Sequence, residues 1–146
     1  MGVVFPKVIP QLESGNILLK EISFDHLVDY AKLCMDTEVM AMYGSRPHES
    51  VDQTANTIDY LQKEFAAKRM IRWGIFLKGA PDTLIGDVGF WRFIDVRMRA
   101  EIGAKIAKAH WRGGVSSTAL KMVIDYGFAH MNLNSVEGNA DPGNYT

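Results

Sequence analysis

Apolar residues recur along the chain with two spacings, one typical of strands and one typical of helices. The segment ILLKEI (17–22) has the composition of a short strand. Ser23 follows it and can cap a helix over FDHLVDYAKLCM (24–35), where apolar side chains repeat every three or four residues. Residues 40–50 contain glycine and proline and are predicted to form a loop.

A second helix is predicted over residues 51–67. Ser50 and Gln53 have the spacing of a capping box, in which each side chain bonds the other's backbone amide. The apolar residues expected on the inner face of this helix are Ile58, Leu61 and Phe65.

Three consecutive strands are predicted next, over IRWGIFLK (71–78), LIGDVGFWRFID (84–95) and MRAEIGAKIA (98–107). Their short connections favour antiparallel pairing. A glycine loop then leads to a helix over residues 115–131, whose expected buried residues are Leu120, Val123, Ile124, Phe128 and Met131. A last strand over residues 134–140 follows this crossover helix and should run parallel to its partner. The pattern predicts a single domain over residues 1–146.

Composition and charge limit the classes of partner. Sixteen basic and seventeen acidic residues give a formal net charge of −1, so neither a nucleic acid nor a membrane surface is expected as a partner. No apolar run approaches the roughly 20 residues of a membrane helix. The single cysteine, Cys34, excludes an internal disulfide and favours core packing in a reduced, cytoplasmic setting. The four histidines lack metal-ligand spacing, so no metal site is predicted.

The loop RGGVSS, residues 112–117, carries the most informative chemistry because it runs directly into a helix. The first amides of a helix lack intrahelical acceptors and form a partially positive end. Gly113 and Gly114 would let an anion approach without meeting a Cβ, and Arg112 would add charge. Phosphate suits such a site. The alternative is a tight turn in which Ser116 merely caps the helix.

Four stretches in this order resemble the GNAT acyl-CoA N-acyltransferases, and among them the RimJ/RimL-like branch. They are PQLESGNILLKEIS (10–23), LIGDVGFWRFID (84–95), RAEIGAKIAKAHWRGGVSSTALKMVIDYGF (99–128) and NSVEGNADPGN (134–144). The loop departs from the branch's usual W-G-x-G-[YIM]-A-[TS]-E-A at Arg112, Ser116 and Thr118, while Gly114 is kept. The resemblance implies an α/β (α+β) fold with a mixed, mostly antiparallel central sheet flanked by helices.

The resemblance also implies an enzyme that moves an acetyl group from acetyl-CoA directly to a primary amine. The end of the third central strand would separate from its neighbour and bond the pantetheine arm through its backbone. The loop would wrap the pyrophosphate with main-chain N–H groups, and Asn144 would reach the pantetheine or the acceptor amine. The implied cofactor-binding residues are Ala104, Lys105, Ile106, Trp111, Arg112, Gly113, Gly114, Val115, Ser116, Ser117 and Asn144.

Acetyl transfer needs a group that removes a proton from the amine, since a lysine-type amine has a pKa of about 10.4. Glu101 is the candidate base, and the alternative is a surface residue paired with Arg97 or Arg99. A backbone N–H near Ile106 would stabilise the oxyanion. Tyr145 is the candidate acid for the departing thiolate, and the alternative is a terminal aromatic without a catalytic role. Together with Asn144 these two residues form the predicted catalytic set.

The acceptor is expected to be a small-molecule amine or a protein N-terminus. The side chains proposed to line its pocket are Met40, Tyr43, Phe90, Trp91 and Phe93, although aromatic residues on a strand are also typical of a core.

The resembling proteins continue with a helix and two strands after the asparagine turn. A chain that lacks these elements would expose a sheet edge and is expected to form a homo-oligomer. A non-catalytic CoA-binding or sensor domain and an interaction module without a ligand are the alternative functions.

Overall fold

The computed structural model describes residues 2–138, which form a six-stranded sheet in the sequential order β1 to β6 with helices on both faces. The strands in these residues are β1 Leu12–Ser14, β2 Ile17–Glu21, β3 Met70–Leu77, β4 Gly86–Ile94, β5 Arg99–Ile106 and β6 Ser135–Gly138. The α-helices are α1 Leu27–Met35, α2 Thr37–Tyr43, α3 Val51–Ala66 and α4 Val115–His130. Neighbouring strands are antiparallel except β5 and β6, which are parallel. The predicted mixed sheet is confirmed.

The central strands send alternate side chains to two faces of the sheet. The face that carries Trp73 and Phe90 packs against α4 in the larger apolar cluster. The opposite face includes Phe76 and packs with Tyr30 of α1 and Ile58 of α3 in a second cluster. The sheet is therefore a middle layer, with α4 on one side and the three N-terminal helices on the other.

The loop predicted over residues 40–50 is wrong in its first half, because α2 occupies Thr37–Tyr43. The Asp36 carboxylate caps this helix by accepting hydrogen bonds from two following amides at 3.0 and 3.1 Å. Gly44 ends it in a left-handed conformation, with φ at +90°. The three-residue strand β1 was also missed, since so short a segment carries little periodicity.

The predicted caps of the two other N-terminal helices are present. Ser23 Oγ accepts a hydrogen bond from the Asp25 amide at 3.3 Å, and a 3₁₀ turn leads from there into α1. Ser50 Oγ accepts from the Gln53 amide at 3.2 Å. Gln53 Oε1 instead accepts from the Glu49 amide at 2.8 Å, so the second bond of the predicted capping box is displaced by one residue.

The buried stripe of α4 differs from the prediction at two positions, one of which is Ile124, a partly buried residue. Phe128 is 49% exposed, whereas Gly127 is buried. A Cβ on Gly127 would lie 2.8 Å from both Phe90 and Leu133. The glycine lets α4 approach the sheet closely, and an apolar count alone could not show this.

A buried ion cluster joins α1 to the three central strands. The carboxylate of Asp87, on β4, is 0% exposed and accepts from Arg72 Nη2 of β3 at 2.5 Å. It also accepts from Lys105 Nζ of β5 at 2.7 Å and from the Tyr30 hydroxyl of α1 at 2.6 Å. Burial alone would raise the pKa of Asp87, but the Arg72 and Lys105 charges outweigh burial and hold that pKa well below its usual range.

Replacing Asp87 with asparagine should destabilise the fold. Asp87→Asn keeps the side-chain shape but leaves two buried cations without a carboxylate, a change that costs about 3–5 kcal/mol. Urea unfolding at pH 7 measures the loss. Because the folded pKa of Asp87 lies below its unfolded value of about 3.9, its contribution is complete above that pH and decreases as the pH falls. The difference in the free energy of unfolding between the wild type and Asp87→Asn should therefore decrease as the pH is lowered.

The matched control is Asp82→Asn. The Asp82 side chain is 99% exposed and lies 3.9 Å from Lys20 Nζ, so its substitution should change the free energy of unfolding by less than about 1 kcal/mol. Equal stability of the Asp87 and Asp82 variants would contradict the central role of the buried cluster.

Candidate functional site

The loop that follows β5 presents the N-terminus of α4. Gly114 is the cap residue, with φ at +75°, a left-handed conformation that favours glycine. The first i→i−4 hydrogen bond of the helix runs from the Thr118 amide to the Gly114 carbonyl at 3.0 Å. The amides of Val115 and Ser116 therefore precede the first intrahelical donor. A Cβ on Gly114 would meet nothing within 4 Å, so the outer side of this turn is open to a ligand.

The residues of the loop differ in burial and in hydrogen bonding. Ser116 is buried inside the helix and makes no capping hydrogen bond, so the alternative in which it caps α4 is wrong. Trp111 is half-buried, and its Nε1 donates to the Ile106 carbonyl at 2.9 Å, which joins the loop to the end of β5. The Gly113 amide lies 3.5 Å from the His110 carbonyl, a weak internal bond. Arg112 is exposed.

The end of β5 is fixed on one edge and continues past its described partner on the other. Ala104, Lys105 and Ile106 pair with residues 86–88 of β4. On the opposite edge, the described pairing with β6 ends at Ile102, opposite Gly138. The predicted separation of the strands, together with Asn144 and Tyr145, lies outside the described residues.

Glu101 lies on the face of β5 that is covered by α1–α3, directly opposite Trp91 of β4. Its side chain is 17% exposed, and Arg92 Nη1 lies 3.2 Å from Glu101 Oε2. The ion pair predicted with Arg97 or Arg99 is wrong, since Arg92 is the partner and Arg99 pairs with Glu137. Arg92 has a φ of +51° where the β4–β5 register shifts, the kind of irregularity that redirects side chains.

A cavity of about 440 Å³ opens on the same face. Its lining residues are Tyr30, Tyr43, Gly44, Ser45, Thr57, Tyr60, Leu61, Met70, Arg72, Trp91, Arg92 and Lys105. The Arg72 guanidinium lies 5.4 Å from the Trp91 ring centroid, and Lys105 Nζ lies 4.5 Å from that of Tyr43. Both distances are within the range of cation–π attraction. The cavity thus combines aromatic walls with two buried cations.

The residues proposed for the acceptor pocket are only partly brought together. Tyr43 and Trp91 line the cavity, whereas Met40 is buried in the core. The prediction that Phe90 lines the pocket is wrong, because Phe90 faces α4 on the opposite side of the sheet. Phe93 lines an adjoining cavity of about 500 Å³.

The buried charge cluster was not predicted, and Lys105 was predicted only as a backbone contact of the cofactor, although the sequence contains a signal for the cluster. Arg72, Asp87 and Lys105 each lie between apolar residues of a strand, and a charge that is buried in such a position must be paired. Because successive side chains of a strand point to opposite faces of the sheet, all three side chains lie on the same face and can contact one another.

Other candidate groups have structural roles. Cys34 is 1% exposed, and burial raises its pKa to about 11, so its thiol stays protonated as expected for core packing. Among residues 2–138 no three His, Cys, Asp or Glu side chains come together as a potential metal site. In that same part of the chain, each helix is too short or too polar to span a bilayer.

Comparison with known proteins identifies the family. Residues 16–146 match the family model described as the acetyltransferase (GNAT) domain. The chain is 32% identical over 129 residues to the uncharacterized N-acetyltransferase YoaA of Bacillus subtilis (strain 168), an alignment that covers 88% of this chain and 72% of the relative.

Solved structures share the fold at lower identity. RimJ of Mycobacterium smegmatis in complex with CoA-disulfide superposes with a TM-score of 0.77 and 18% identity, over 97% of this chain and 71% of that one. Spermidine N-acetyltransferase of Vibrio cholerae in complex with CoA and spermine gives a TM-score of 0.72 and 21% identity, over 84% and 70% of the two chains. The sheet, the glycine loop before α4 and the match over residues 16–146 agree: the chain belongs to the GNAT family of acetyltransferases.

Proposed function

We propose that this chain transfers the acetyl group of acetyl-CoA directly to a primary amine, and that it belongs to the RimJ/RimL-like branch. The observation that carries the proposal is the open N-terminus of α4, where left-handed Gly114 precedes the first intrahelical donor. Such an end attracts phosphate through its amides and the helix dipole. The RimJ structure that shares this fold holds a CoA derivative.

The cofactor would contact two adjacent segments of the chain. The amides from Arg112 to Ser117, with the Arg112 charge, would receive the pyrophosphate. The backbone edge of β5 at Ala104–Ile106 that faces away from β4 would receive the pantetheine arm. Trp111 fixes the distance between the two segments through its bond to Ile106. Asn144 would contact the same arm.

The chemistry needs a base, and Glu101 supplies a carboxylate on the cavity side of β5. The amine nitrogen forms a bond to the acetyl carbon, its proton passes to Glu101 directly or through a water, and the carbon–sulfur bond breaks. The CoA thiolate leaves and takes a proton, for which Tyr145 is the candidate donor. An amide near Ile106 would stabilise the negative charge on the acetyl oxygen.

The loop is tested by Gly114→Val. A β-branched side chain disfavours the left-handed conformation and places methyl groups on the outer side of the turn, where the pyrophosphate would bind. Loss of one or two charge-assisted hydrogen bonds should weaken CoA binding about 10- to 100-fold. Isothermal titration calorimetry with CoA measures this change.

Gly15→Val is the matched control. Gly15 lies in the β1–β2 turn with φ at +57°, and a Cβ added there would meet no atom within 4 Å, so the backbone strain is similar. Both variants should lose similar stability, and only Gly114→Val should lose CoA affinity. Unchanged CoA binding by folded Gly114→Val would refute the proposed pyrophosphate site.

The base is tested by Glu101→Gln. The substitution keeps the side-chain size and a hydrogen bond to Arg92 but removes the proton acceptor, so kcat should fall about 10²- to 10⁴-fold. CoA affinity should stay the same. Release of free thiol from acetyl-CoA in the presence of amines provides the assay.

Glu13→Gln removes another ion-paired strand carboxylate, the one 3.3 Å from Lys78 Nζ, and serves as the control. Its kcat should match the wild type. If Glu101→Gln retains the wild-type kcat, Glu101 is only a structural partner of Arg92.

A further inference from the structure

Within residues 2–138, the cavity on the α1–α3 face has more positive than negative charges around it. Its described lining includes three cations, Arg72, Arg92 and Lys105, and no carboxylate. Arg92 is paired with Glu101 outside the lining. The two buried cations share the single carboxylate of Asp87. The floor of the cavity therefore has a net charge of +1.

Both buried cations keep their charge. Burial alone would lower the pKa of Lys105, but the adjacent Asp87 carboxylate outweighs burial and raises it. The same competition raises the pKa of Arg72. Neither group can relieve the excess charge by losing its proton at neutral pH.

The buried cations also have hydrogen-bond donors to spare. Arg72 is 7% exposed, and its Nε has no partner among the described residues. Its Nη2 bonds Asp87 and reaches the Gly103 carbonyl only at 3.5 Å. Of the three N–H groups of Lys105, one bonds Asp87 at 2.7 Å, and the ammonium faces the Tyr43 ring. A buried donor without an acceptor is unfavourable and is normally satisfied by protein, water or ligand.

A further carboxylate, that of Glu21, lines a smaller neighbouring cavity. Arg72 also lines a small cavity of about 80 Å³ together with Glu21, which is exposed to solvent. An exposed carboxylate interacts weakly because water screens it. It does not supply an acceptor on the Lys105 side of the cluster.

We propose that this cavity binds an acceptor that carries a carboxylate beside its reacting amine, an amino-acid-like compound and not a polyamine. The carboxylate would accept from Arg72 and Lys105, and the amine would face Glu101. A planar guanidinium matches a carboxylate, and charge-assisted hydrogen bonds of this kind are strong. A polycation would place like charges together in a desolvated site. The inference rests on the proposed acetyl transfer and adds the class of its acceptor.

The direct test compares matched acids and amides with the full chain. Thiol release from acetyl-CoA is measured with phenylalanine against phenylalaninamide, glycine against glycinamide, and spermidine. The acids should have KM values at least about tenfold lower than the amides, because only a carboxylate satisfies the buried cations. Equal KM values, or a preference for amides or spermidine, would overturn the inference.

The Lys105→Met variant assigns the preference to this cavity. The substitution leaves Arg72 and Asp87 as a neutral pair, so the ratio of KM for the acids to KM for the amides should rise about tenfold. Lys105→Arg should restore the preference for acids. Lys78→Met removes a lysine paired with Glu13, far along the sheet, and should change neither value. An equal rise in KM for the acids and the amides would show that Lys105 has only a structural role.

Binding without turnover separates this inference from the proposed function. Calorimetry on the same chain compares N-acetylphenylalanine with N-acetylphenylalaninamide, the products of the matched pair. One outcome is that the chain acetylates no amine but binds N-acetylphenylalanine at least about tenfold more tightly than N-acetylphenylalaninamide. That result would refute the proposed acetyl transfer and support the anion-binding cavity. Equal binding of the two compounds would overturn the cavity's assignment whether or not the chain is active.

Discussion

A single buried carboxylate that must compensate two cations determines much of the interior of this fold. Arg72 of β3, Lys105 of β5 and the Tyr30 hydroxyl of α1 all donate hydrogen bonds to the Asp87 carboxylate. Strand glycines permit close packing of backbone and side chains around this carboxylate. A Cβ on Gly89 would lie 2.6 Å from Cα of Arg72, and one on Gly103 would lie 2.5 Å from the Trp91 ring. The packing of the ion cluster and of the cavity therefore depends on the same strand glycines.

The same strand serves both halves of the proposed reaction. Glu101 and Lys105 lie on the same face of β5, where Lys105 lines the cavity and Glu101 is paired with Arg92 of its lining. The backbone at the end of β5 leads into the glycine loop, which the Trp111 indole ties to Ile106. A displacement of β5 would move the acceptor side and the cofactor side together. Continuous pairing with β4 from Gly86 to Trp91, reinforced by the Asp87–Lys105 ion pair, resists such a displacement.

The order of elements could be predicted because the strands and α4 have strong periodic patterns, but the site could not be assembled from the sequence alone. α2 was missed because Gly44 and the following proline suggested a loop, although Asp36 provided a cap signal. Phe90 was placed in the pocket because aromatic content was weighed above strand alternation. The partners of Asp87 lie 15 and 18 residues away, on other strands, so the pairing required knowledge of the sheet register.

Stability alone does not explain why this cluster has two cations for one carboxylate. Well-packed apolar residues often replace a buried ion pair without loss of stability, and an excess buried charge adds a further cost. The unpaired Nε of Arg72 shows that the protein's described part leaves this cost unmet. The bulge that turns Arg92 toward Glu101 adds a left-handed residue at the rim of the same cavity. Local features that lower stability and converge on one opening are typical of binding sites, where a ligand supplies the missing partner.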